Sequence, residues 1–353
     1  MKPKATIIMP CAGKSKRYPS LRPKFLLVNP NGNLMLIDAL SKLPYKSCKI
    51  IVTVLKEHEQ KYEIRKNLNK FFAGYGIELC VLKQETKSQS ETVYKTLKQM
   101  NLKGPFLVKD SDNIFNLDRV YEPHNYVTVE SLENAGLVNA SNKSYAQTDS
   151  SGIIVNIEEK KVISNTFSVG GYYFLSPAEF IEAYETLAKM RLDKEIYVSM
   201  VISHMMFKMG KKFKTKQASE YVDLGTIKEW VMYKEKFKTY FIDIDGVVVK
   251  NSAEYFKPYW GTTQGISENV AVIKELYARG NQIILTTTRK ESYRKITEKQ
   301  LKKVGVPYNM LIMELFHSGR VLINDFSNSN PYPSAVGLSI PRDSEELGKY
   351  LNL

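Results

Sequence analysis

Short apolar runs that alternate with helix-like segments are the strongest constraint on how this chain folds. The first four such runs are ATIIM at residue 5, KIIVTVL at 49, IELCVL at 77 and FLVK at 106. The stretch 144–160 has the pattern of a β-hairpin, with Asp-Ser-Ser-Gly as its turn. Strands that alternate with helices form mostly parallel sheets that helices cover. The sequence therefore predicts an α/β fold, with polar side chains at the carboxyl edge of the sheet.

A second series of strands and helices begins at Thr239, directly after a charged stretch. Its apolar runs are TYFIDIDGVVV at residue 239, QIILTTT at 282 and RVLIND at 320, and we expect each to form a strand. A chain of 353 residues is also longer than one hydrophobic core usually supports. We therefore expect two domains, residues 1–236 and the smaller 237–353.

The composition excludes several classes of protein. Hydrophobic residues make up 43% of the chain and charged residues 25%, as in an ordinary globular protein. No apolar run approaches the roughly 20 residues that cross a bilayer, and the N-terminus lacks a signal-peptide core, so we expect a cytoplasmic protein. The net charge is +14, but its lysines are spread along the chain without a nucleic-acid-binding motif. We expect phosphorylated small molecules as partners, and no nucleic acid.

Small and basic residues follow the first strand. The sequence there is CAGKSKR, and Pro23-Lys24 comes shortly afterwards. Backbone N–H groups in such a loop can bind a triphosphate. Asp112 follows the strand FLVK, and Asp223 precedes a Gly-Thr turn. Taken singly, Asp112 also fits a surface turn and Asp223 a helix N-cap. Together with the loop, however, the two carboxylates have the oxygen ligands that Mg²⁺ prefers.

In this order the motifs A-G-x-S-x-R, P-K, D-S-D-N, E-E-K, G-G-Y-Y-F and D-L-G-T resemble the sugar-phosphate nucleotidyltransferase family over about residues 4–232. The resemblance implies a Rossmann-like mixed sheet, Mg²⁺ as cofactor, and a nucleoside triphosphate and a sugar phosphate as substrates. By this resemblance the triphosphate is bound by Ala12, Gly13, Ser15 and Arg17, and the phosphates are contacted in the transition state by Arg17 and Lys24. Mg²⁺ is bound by Asp112 and Asp223. The sugar phosphate is bound by Glu159, Lys160, Gly170 and Gly171. Ser90 lies in the expected base-binding segment, which lacks the family's usual glycine, so the base is left open.

Two carboxylates, Asp243 and Asp245, end the strand of the second series. One such carboxylate can attack a phosphoryl group while its neighbour exchanges a proton with the leaving oxygen. With T-T-R at 287–289 and N-D at 324–325, the motif D-x-D-G resembles the haloacid dehalogenase-type phosphatase superfamily over about residues 238–345.

This second resemblance implies a smaller Rossmann-like domain. It makes Asp243 the nucleophile and Asp245 the general acid and base, and it assigns phosphate to Thr287. Mg²⁺ is then bound by Asp243, Asp245 and Asp325. Arg320 would replace a lysine that the superfamily has and this sequence lacks. The interval between Asp245 and Thr287 is too short for a large cap domain.

Together the two resemblances imply a bifunctional enzyme that supplies activated sugars for capsule or lipopolysaccharide synthesis. Two alternatives stay open: a cytidylyltransferase for phosphocholine or another non-sugar phosphate, and domains that bind nucleotide or phosphate without catalysis, above all the C-terminal one. The sequence also leaves open whether copies of the chain form a homo-oligomer.

Overall fold

The computed structural model of the protein describes residues 5–13, 21–72, 77–134, 140–190, 195–328, 330–331 and 333–353. The chain divides into two compact units, Met1–Trp230 and Val231–Leu353, named here the first unit and the second unit. In the part of the chain that is described, no helix is long and apolar enough to cross a membrane.

The first unit contains a large mixed sheet. Its strands, with those of a smaller ladder, are β1 (Ala5–Cys11), β2 (Cys48–Leu55), β3 (Ile77–Leu82), β4 (Phe106–Lys109), β5 (Asn113–Asn116), β6 (Asn125–Ser131), β7 (Ser144–Thr148), β8 (Ile154–Glu159), β9 (Thr166–Phe174), β10 (Phe213–Gln217) and β11 (Ser219–Asp223). The order in the large sheet is β10-β6-β9-β4-β1-β2-β3, and the hairpin β7-β8 joins it through β9. Strands β1 to β4 confirm the four apolar runs, and β7-β8 confirms the predicted hairpin.

The sheet is parallel around β1 and antiparallel around β9. Strand β1 pairs in parallel with β2 and β4, whereas β9 runs antiparallel to β4 and β6. The central strands β1, β4, β6 and β9 are largely buried because both faces of the sheet carry a hydrophobic core. Along β1, for example, Ile7 and Met9 belong to one core and Ile8 to the other. Strands buried on both faces are near-continuous apolar runs, which is why ATIIM was recognisable in the sequence.

Helices of the first unit are α1 (Met35–Ser41), α2 (Lys56–Tyr62), α3 (Ile64–Phe71), α4 (Gln89–Gln99), α5 (Pro177–Lys189) and α6 (Val198–Met209), and α7 (Ile227–Glu235) continues into the second unit. Helix α4 begins after Ser88, whose hydroxyl oxygen accepts the N–H of Glu91 at 3.1 Å. The carboxylate of Glu91 accepts the N–H of Lys87 at 2.6 Å. This arrangement satisfies N–H groups that have no partner inside the helix, and it fixes where α4 starts beside the site described below.

The second unit contains a smaller sheet of three parallel strands. Strands β12 (Thr239–Asp243), β13 (Gln282–Thr286) and β14 (Met310–Ile312) lie in that order, accompanied by helices α8 (Ser267–Ala278), α9 (Arg294–Val304) and α10 (Leu347–Tyr350). Ile244, Ile273 and Leu285 belong to its core. The strands expected at 239 and 282 are confirmed.

The strand expected at residues 320–325 is wrong. Val321 is 82% exposed and Ile323 92% exposed, and the segment forms no strand in the described residues. Local hydrogen bonds hold it instead, because the Arg320 guanidinium donates to the carbonyls of Phe316 and Ser318 at 3.0 and 2.6 Å. A short apolar run has no periodicity that distinguishes a strand from another extended segment.

Candidate functional site

Strands β5 and β11 form a two-stranded antiparallel ladder beside the large sheet. In this ladder Asp223 pairs with Asn113, and the N–H of Leu224 donates to the main-chain carbonyl of Asp112 at 2.8 Å. The two predicted metal ligands, far apart in the sequence, therefore lie on adjacent backbones. The structure thus brings Asp112 and Asp223 together at the carboxyl end of β4, where ligands bind in open α/β sheets.

A lysine ammonium donates a hydrogen bond to each of these carboxylates. Lys24 donates to Oδ2 of Asp112, and Lys143 donates to Oδ2 of Asp223. The side chains of Lys143 and Asp223 are each 12% exposed, so this ion pair is largely withdrawn from solvent. Oδ1 of Asp223 accepts the N–H of Gly225 at 3.0 Å, which fixes the orientation of the carboxylate.

Lys143 was not predicted from the sequence. It lies 80 residues from Asp223 and directly before β7, in a segment without a recognisable motif. Its ammonium also donates to the phenol oxygen of Tyr221 at 2.7 Å. Burial raises the pKa of Tyr221 well above its ordinary value, and the negative charges of Asp223 and Asp112 raise it further. Tyr221 therefore stays a neutral neighbour of the two carboxylates.

A third carboxylate, Asp110, begins the motif D-S-D-N that contains Asp112, and no role for it was predicted from the sequence. Its main-chain N–H donates to the carbonyl of Gly170 at 2.9 Å, and its side chain accepts from Gln89. Burial raises the pKa of Asp110, and the charge of Asp112 raises it further. Asp110 is thus enclosed by protein groups, whereas Asp112 and Asp223 are each paired with a lysine.

A buried lysine supports this loop from inside. Lys109, the last residue of β4, is fully buried, and its ammonium donates to the carbonyls of Asp110 and Asn113 at 2.7 and 2.8 Å. Burial lowers the pKa of Lys109 from its ordinary value. Hydrogen bonds to two carbonyls of one turn make Lys109 a positioning residue for the loop that carries Asp112.

The residues expected to bind the acceptor lie along β8, β9 and the preceding loop. Glu159 accepts from the hydroxyls of Ser144 and Ser199, and Lys160 donates to the phenol of Tyr197 at 2.7 Å. The N–H of Lys160 donates to the carbonyl of Lys143 at 2.8 Å. Lys160 is therefore a neighbour of the lysine that pairs with Asp223.

The two predicted glycines of β9 are packed against this site. A Cβ atom on Gly170 would come within 2.4 Å of the Asp110 carboxylate, and one on Gly171 within 2.3 Å of the Thr128 hydroxyl. The backbone dihedral φ of Gly170 is +84°, a conformation that favours glycine. Close approach of backbone to polar side chains explains why glycine is required at both positions.

The predicted nucleotide loop is described only at its beginning. Ala12 is fully buried, and its carbonyl accepts from the hydroxyl of Thr86 at 3.4 Å. Gly13 is exposed and follows it, whereas Ser15 and Arg17 lie outside the described residues. The Thr86 contact links this loop to the segment expected to bind the base.

Ser90 itself is fully buried, and its hydroxyl donates to the carbonyl of Ile196. That hydroxyl connects α4 to the segment before α6. The Ser90 hydroxyl is thus engaged by a protein carbonyl, and its role in nucleotide binding stays a prediction.

In the second unit, the motif residues follow the carboxyl ends of neighbouring parallel strands. Asp243 ends β12 and pairs with Thr286 of β13, which directly precedes Thr287. Burial raises the pKa of Asp243, although the positive charge of Arg320 opposes the rise. The nearest guanidinium nitrogen of Arg320 is 3.9 Å from Oδ1 of Asp243. The structure thus brings Asp243, Thr287 and Arg320 to one edge of this sheet.

Asp245 forms an ion pair with Arg289. This arginine belongs to the T-T-R motif, but no role for it was predicted from the sequence. The fully buried guanidinium of Arg289 donates to both oxygens of Asp245 at 2.8 and 2.7 Å. The hydroxyl of Ser252 adds a bond to Asp245 at 2.7 Å. Such a bidentate pair fixes the orientation of the Asp245 carboxylate.

The predicted Mg²⁺ site of Asp243, Asp245 and Asp325 is not formed. In the described residues, which include all three, no group of three or more His, Cys, Asp or Glu side chains could hold a metal ion. Asp325 is exposed, and its carbonyl accepts from Asn330 and Ser334. The physical reason is that residues 320–325 do not add to the sheet as a strand.

Asp112 and Asp223 fit Mg²⁺ in a different way. Mg²⁺ is often bound by one or two protein carboxylates, with substrate phosphates and water as the other ligands. Two adjacent carboxylates, each now neutralised by an ammonium, provide such a partial site. The geometry therefore fits an ion that arrives together with a triphosphate.

Solved structures share the architecture of the first unit. Comparison with protein-family models and with curated protein sequences gives no match. Among solved structures, the chain is similar to the nucleoside-diphosphate-sugar pyrophosphorylase from Vibrio cholerae RC9 (19% identity, TM-score 0.55, 65% of this chain and 99% of that one). It is also similar to the inositol-1-phosphate CTP transferase from T. maritima (13%, 0.52, 66% and 96%) and to the CTP:phosphocholine cytidylyltransferase from Streptococcus pneumoniae (14%, 0.51, 66% and 98%). Over about two thirds of its length the chain therefore has the fold of nucleotidyltransferases.

Proposed function

We propose that the first unit transfers a nucleotidyl group from a nucleoside triphosphate to the phosphate of a small acceptor, foremost a sugar phosphate. The observation that carries this proposal is the hydrogen bond between Leu224 and Asp112, which places Asp223 beside Asp112. The fold shared with nucleotidyltransferases supports it. Lys24 beside Asp112 adds the positive charge that a triphosphate needs.

In the proposed reaction an oxygen of the acceptor phosphate attacks the α-phosphorus of the triphosphate. The bond between the α-phosphorus and the bridging oxygen breaks, and pyrophosphate leaves with that oxygen. The acceptor phosphate is already ionised near neutral pH, so no general base is required. Lys24, and Arg17 as predicted, stabilise the negative charge on the phosphoryl groups. Mg²⁺ bound by Asp112 and Asp223 would add positive charge to the same groups.

Two lysines lie where the phosphate of the acceptor is predicted to bind. Lys143 and Lys160 are neighbours through a backbone hydrogen bond of 2.8 Å. A quaternary ammonium group is typically bound by aromatic faces and is repelled by like charge. The two lysines therefore support a phosphorylated acceptor; a sugar phosphate, which has no quaternary ammonium group, is the proposed one, and phosphocholine is the alternative.

A panel assay tests this function. The purified protein is incubated with Mg²⁺, each of the common nucleoside triphosphates, and a set of sugar phosphates plus phosphocholine, while pyrophosphate is measured. We expect pyrophosphate only when a triphosphate and an acceptor are both present. Asp223→Asn should abolish most of it, whereas Asp118→Asn, at a carboxylate that is 71% exposed, should not. Acceptor-dependent release unchanged in Asp223→Asn would refute the proposed site.

For the second unit, we propose binding of a phosphate ester at the carboxyl edge of its sheet, with hydrolysis as its reaction. The supporting observation is that Asp243 and Thr287 follow paired positions of β12 and β13. A carboxylate oxygen of Asp243 would attack the phosphorus, the P–O bond of the ester would break, and the alcohol would leave. Water would then hydrolyse the aspartyl phosphate to free phosphate and regenerate Asp243. Together the two reactions would serve the synthesis of an activated sugar for capsule or lipopolysaccharide.

Measuring the release of free phosphate distinguishes hydrolysis in the second unit from binding without a reaction. We expect the protein to release phosphate from a generic phosphate ester, and Asp243→Asn to remove this activity. Inorganic phosphate that protects the second unit from unfolding without any hydrolysis would support the binding-only alternative.

A further inference from the structure

Each oxygen of Asp223 accepts a hydrogen bond, and the one on Oδ2 comes from the charged Lys143. Oδ1 accepts the N–H of Gly225 at 3.0 Å, and Oδ2 accepts from the Lys143 ammonium. The same ammonium donates to the phenol of Tyr221 at 2.7 Å. A divalent cation that binds Oδ2 therefore competes with this ammonium, because two positive charges at one carboxylate oxygen repel each other.

We propose that Lys143 competes with the divalent cation for Asp223 and, once displaced, binds the phosphate of the acceptor. This inference rests on the proposed nucleotidyl transfer and adds a residue to it. Until the cation is bound, Lys143 neutralises a carboxylate that is 12% exposed, and an unpaired charge there would be costly.

The displaced ammonium then needs a new anionic partner for the same reason. Lys143 has a side chain that is 12% exposed, and a buried charge without a partner is unfavourable. Its carbonyl accepts the N–H of Lys160, the residue predicted to contact the acceptor phosphate. The acceptor phosphate, which Lys160 is predicted to contact, is therefore the anion that we assign to the displaced Lys143 ammonium.

Lys160 offers a matched comparison. Its ammonium donates to the phenol of Tyr197 at 2.7 Å and lies 4.6 Å from the centre of that ring. Lys160 thus carries the same charge in the same region and is bonded to a phenol, whereas Lys143 is bonded to Asp223. Removal of either lysine should weaken acceptor binding, but only removal of Lys143 should free an oxygen for the metal.

The test is a titration of the full chain with Mn²⁺ in the absence of nucleotide. Binding is measured as the loss of the electron paramagnetic resonance signal of free Mn²⁺. We expect Lys143→Met to bind Mn²⁺ about tenfold more tightly than the unaltered protein, since a charge-assisted hydrogen bond no longer competes. Lys160→Met should bind Mn²⁺ as the unaltered protein does. In steady-state kinetics Lys143→Met should raise the KM for the acceptor about tenfold and leave the KM for the triphosphate within about twofold.

Two further variants, Lys143→Gln and Lys143→Arg, keep the test decisive if Lys143→Met does not fold. The glutamine variant should again bind Mn²⁺ more tightly, whereas the arginine variant, which can hold the carboxylate with two hydrogen bonds, should bind it no more tightly than the unaltered protein. Unchanged or weaker Mn²⁺ binding in the folded methionine or glutamine variant, or tighter binding in the arginine variant, would overturn the proposal. A missing pyrophosphate signal from the unaltered protein would refute the transfer reaction and leave the Mn²⁺ comparison decisive for Lys143.

Discussion

Asp112 and Asp223 lie on adjacent strands of one ladder, joined by a hydrogen bond of 2.8 Å from the N–H of Leu224 to the carbonyl of Asp112. This contact depends on β5 and β11, two short strands whose residues are distant in the sequence. Because the ladder fixes the backbones, the position of the two carboxylates does not depend on their lysine partners alone. Under the proposed function, this arrangement would be prepared for a divalent cation and a triphosphate before either ligand binds.

Lys24→Ala should slow nucleotidyl transfer strongly and leave the fold intact. The Lys24 ammonium is paired with Asp112 in the site, and loss of one preorganised charge at phosphoryl groups should lower kcat by about 10²–10³-fold. Steady-state pyrophosphate release measures the loss, and thermal unfolding checks the fold. Lys66→Ala, at a side chain that is 74% exposed, is the control and should match the unaltered protein. An unchanged kcat in Lys24→Ala would remove Lys24 from the mechanism.

Gly170→Ala should destabilise the first unit more than Gly104→Ala. Both glycines have a positive φ, +84° and +82°, so the backbone strain of an added Cβ is similar. At Gly170 the Cβ would also come within 2.4 Å of Asp110, whereas at Gly104 nothing lies within 4 Å. We expect Gly170→Ala to lower the free energy of unfolding by about 1–3 kcal/mol more, by denaturant titration. Equal losses would show that the contact with Asp110 is unimportant.

Arg289→Met should destabilise the second unit by about 3–5 kcal/mol, because it leaves the Asp245 carboxylate without its buried partner. Unfolding monitored through Trp260, a buried residue of this unit, measures the loss. Arg279→Met removes an ion pair with Glu275 whose side chains are 55% and 53% exposed, and it should cost less than about 1 kcal/mol. A small effect of Arg289→Met would mean that the pair with Asp245 contributes little to this unit.

Glu122→Gln should make the free energy of unfolding less dependent on pH in the acid range. Burial alone would raise the pKa of Glu122, but hydrogen bonds from Lys216 at 2.6 Å and Arg119 at 2.8 Å hold it below its ordinary value. The contribution of Glu122 is therefore present above its unfolded pKa of about 4.3 and is lost as the pH falls through the lower folded value. Free energies of unfolding between pH 3 and 6 should fall less steeply in the variant. An identical slope in both proteins would contradict this assignment.

The elements that the sequence predicted correctly are those whose signal is local. Strands β1 to β4 are buried on both faces and appear as apolar runs, and the hairpin β7-β8 is marked by its turn. The glycines at 170 and 171 belong to the motif G-G-Y-Y-F; the structure shows their close contacts with Asp110 and Thr128, while their role in sugar binding stays a prediction. In these cases one segment contains the whole signal.

The rest depends on contacts between distant segments. Lys143 and Lys109 have no motif of their own, and their roles become visible only when the fold places them beside Asp223 and the turn after β4. The hydroxyl of Ser90 is directed at Ile196, a contact that a local motif cannot specify. The run RVLIND was predicted to be a strand from its apolar residues. Such residues alone do not guarantee a partner strand in a sheet.

A double-mutant cycle on Asp112 and Asp223 tests the central claim most directly. The rate of pyrophosphate release is measured for Asp112→Asn, Asp223→Asn and the double variant, with the triphosphate and acceptor that the panel identifies. If both carboxylates serve one cation and one triphosphate, the double variant should be no slower than the slower single variant, because residues that act as a unit are not additive. Losses that multiply in the double variant would contradict a shared site.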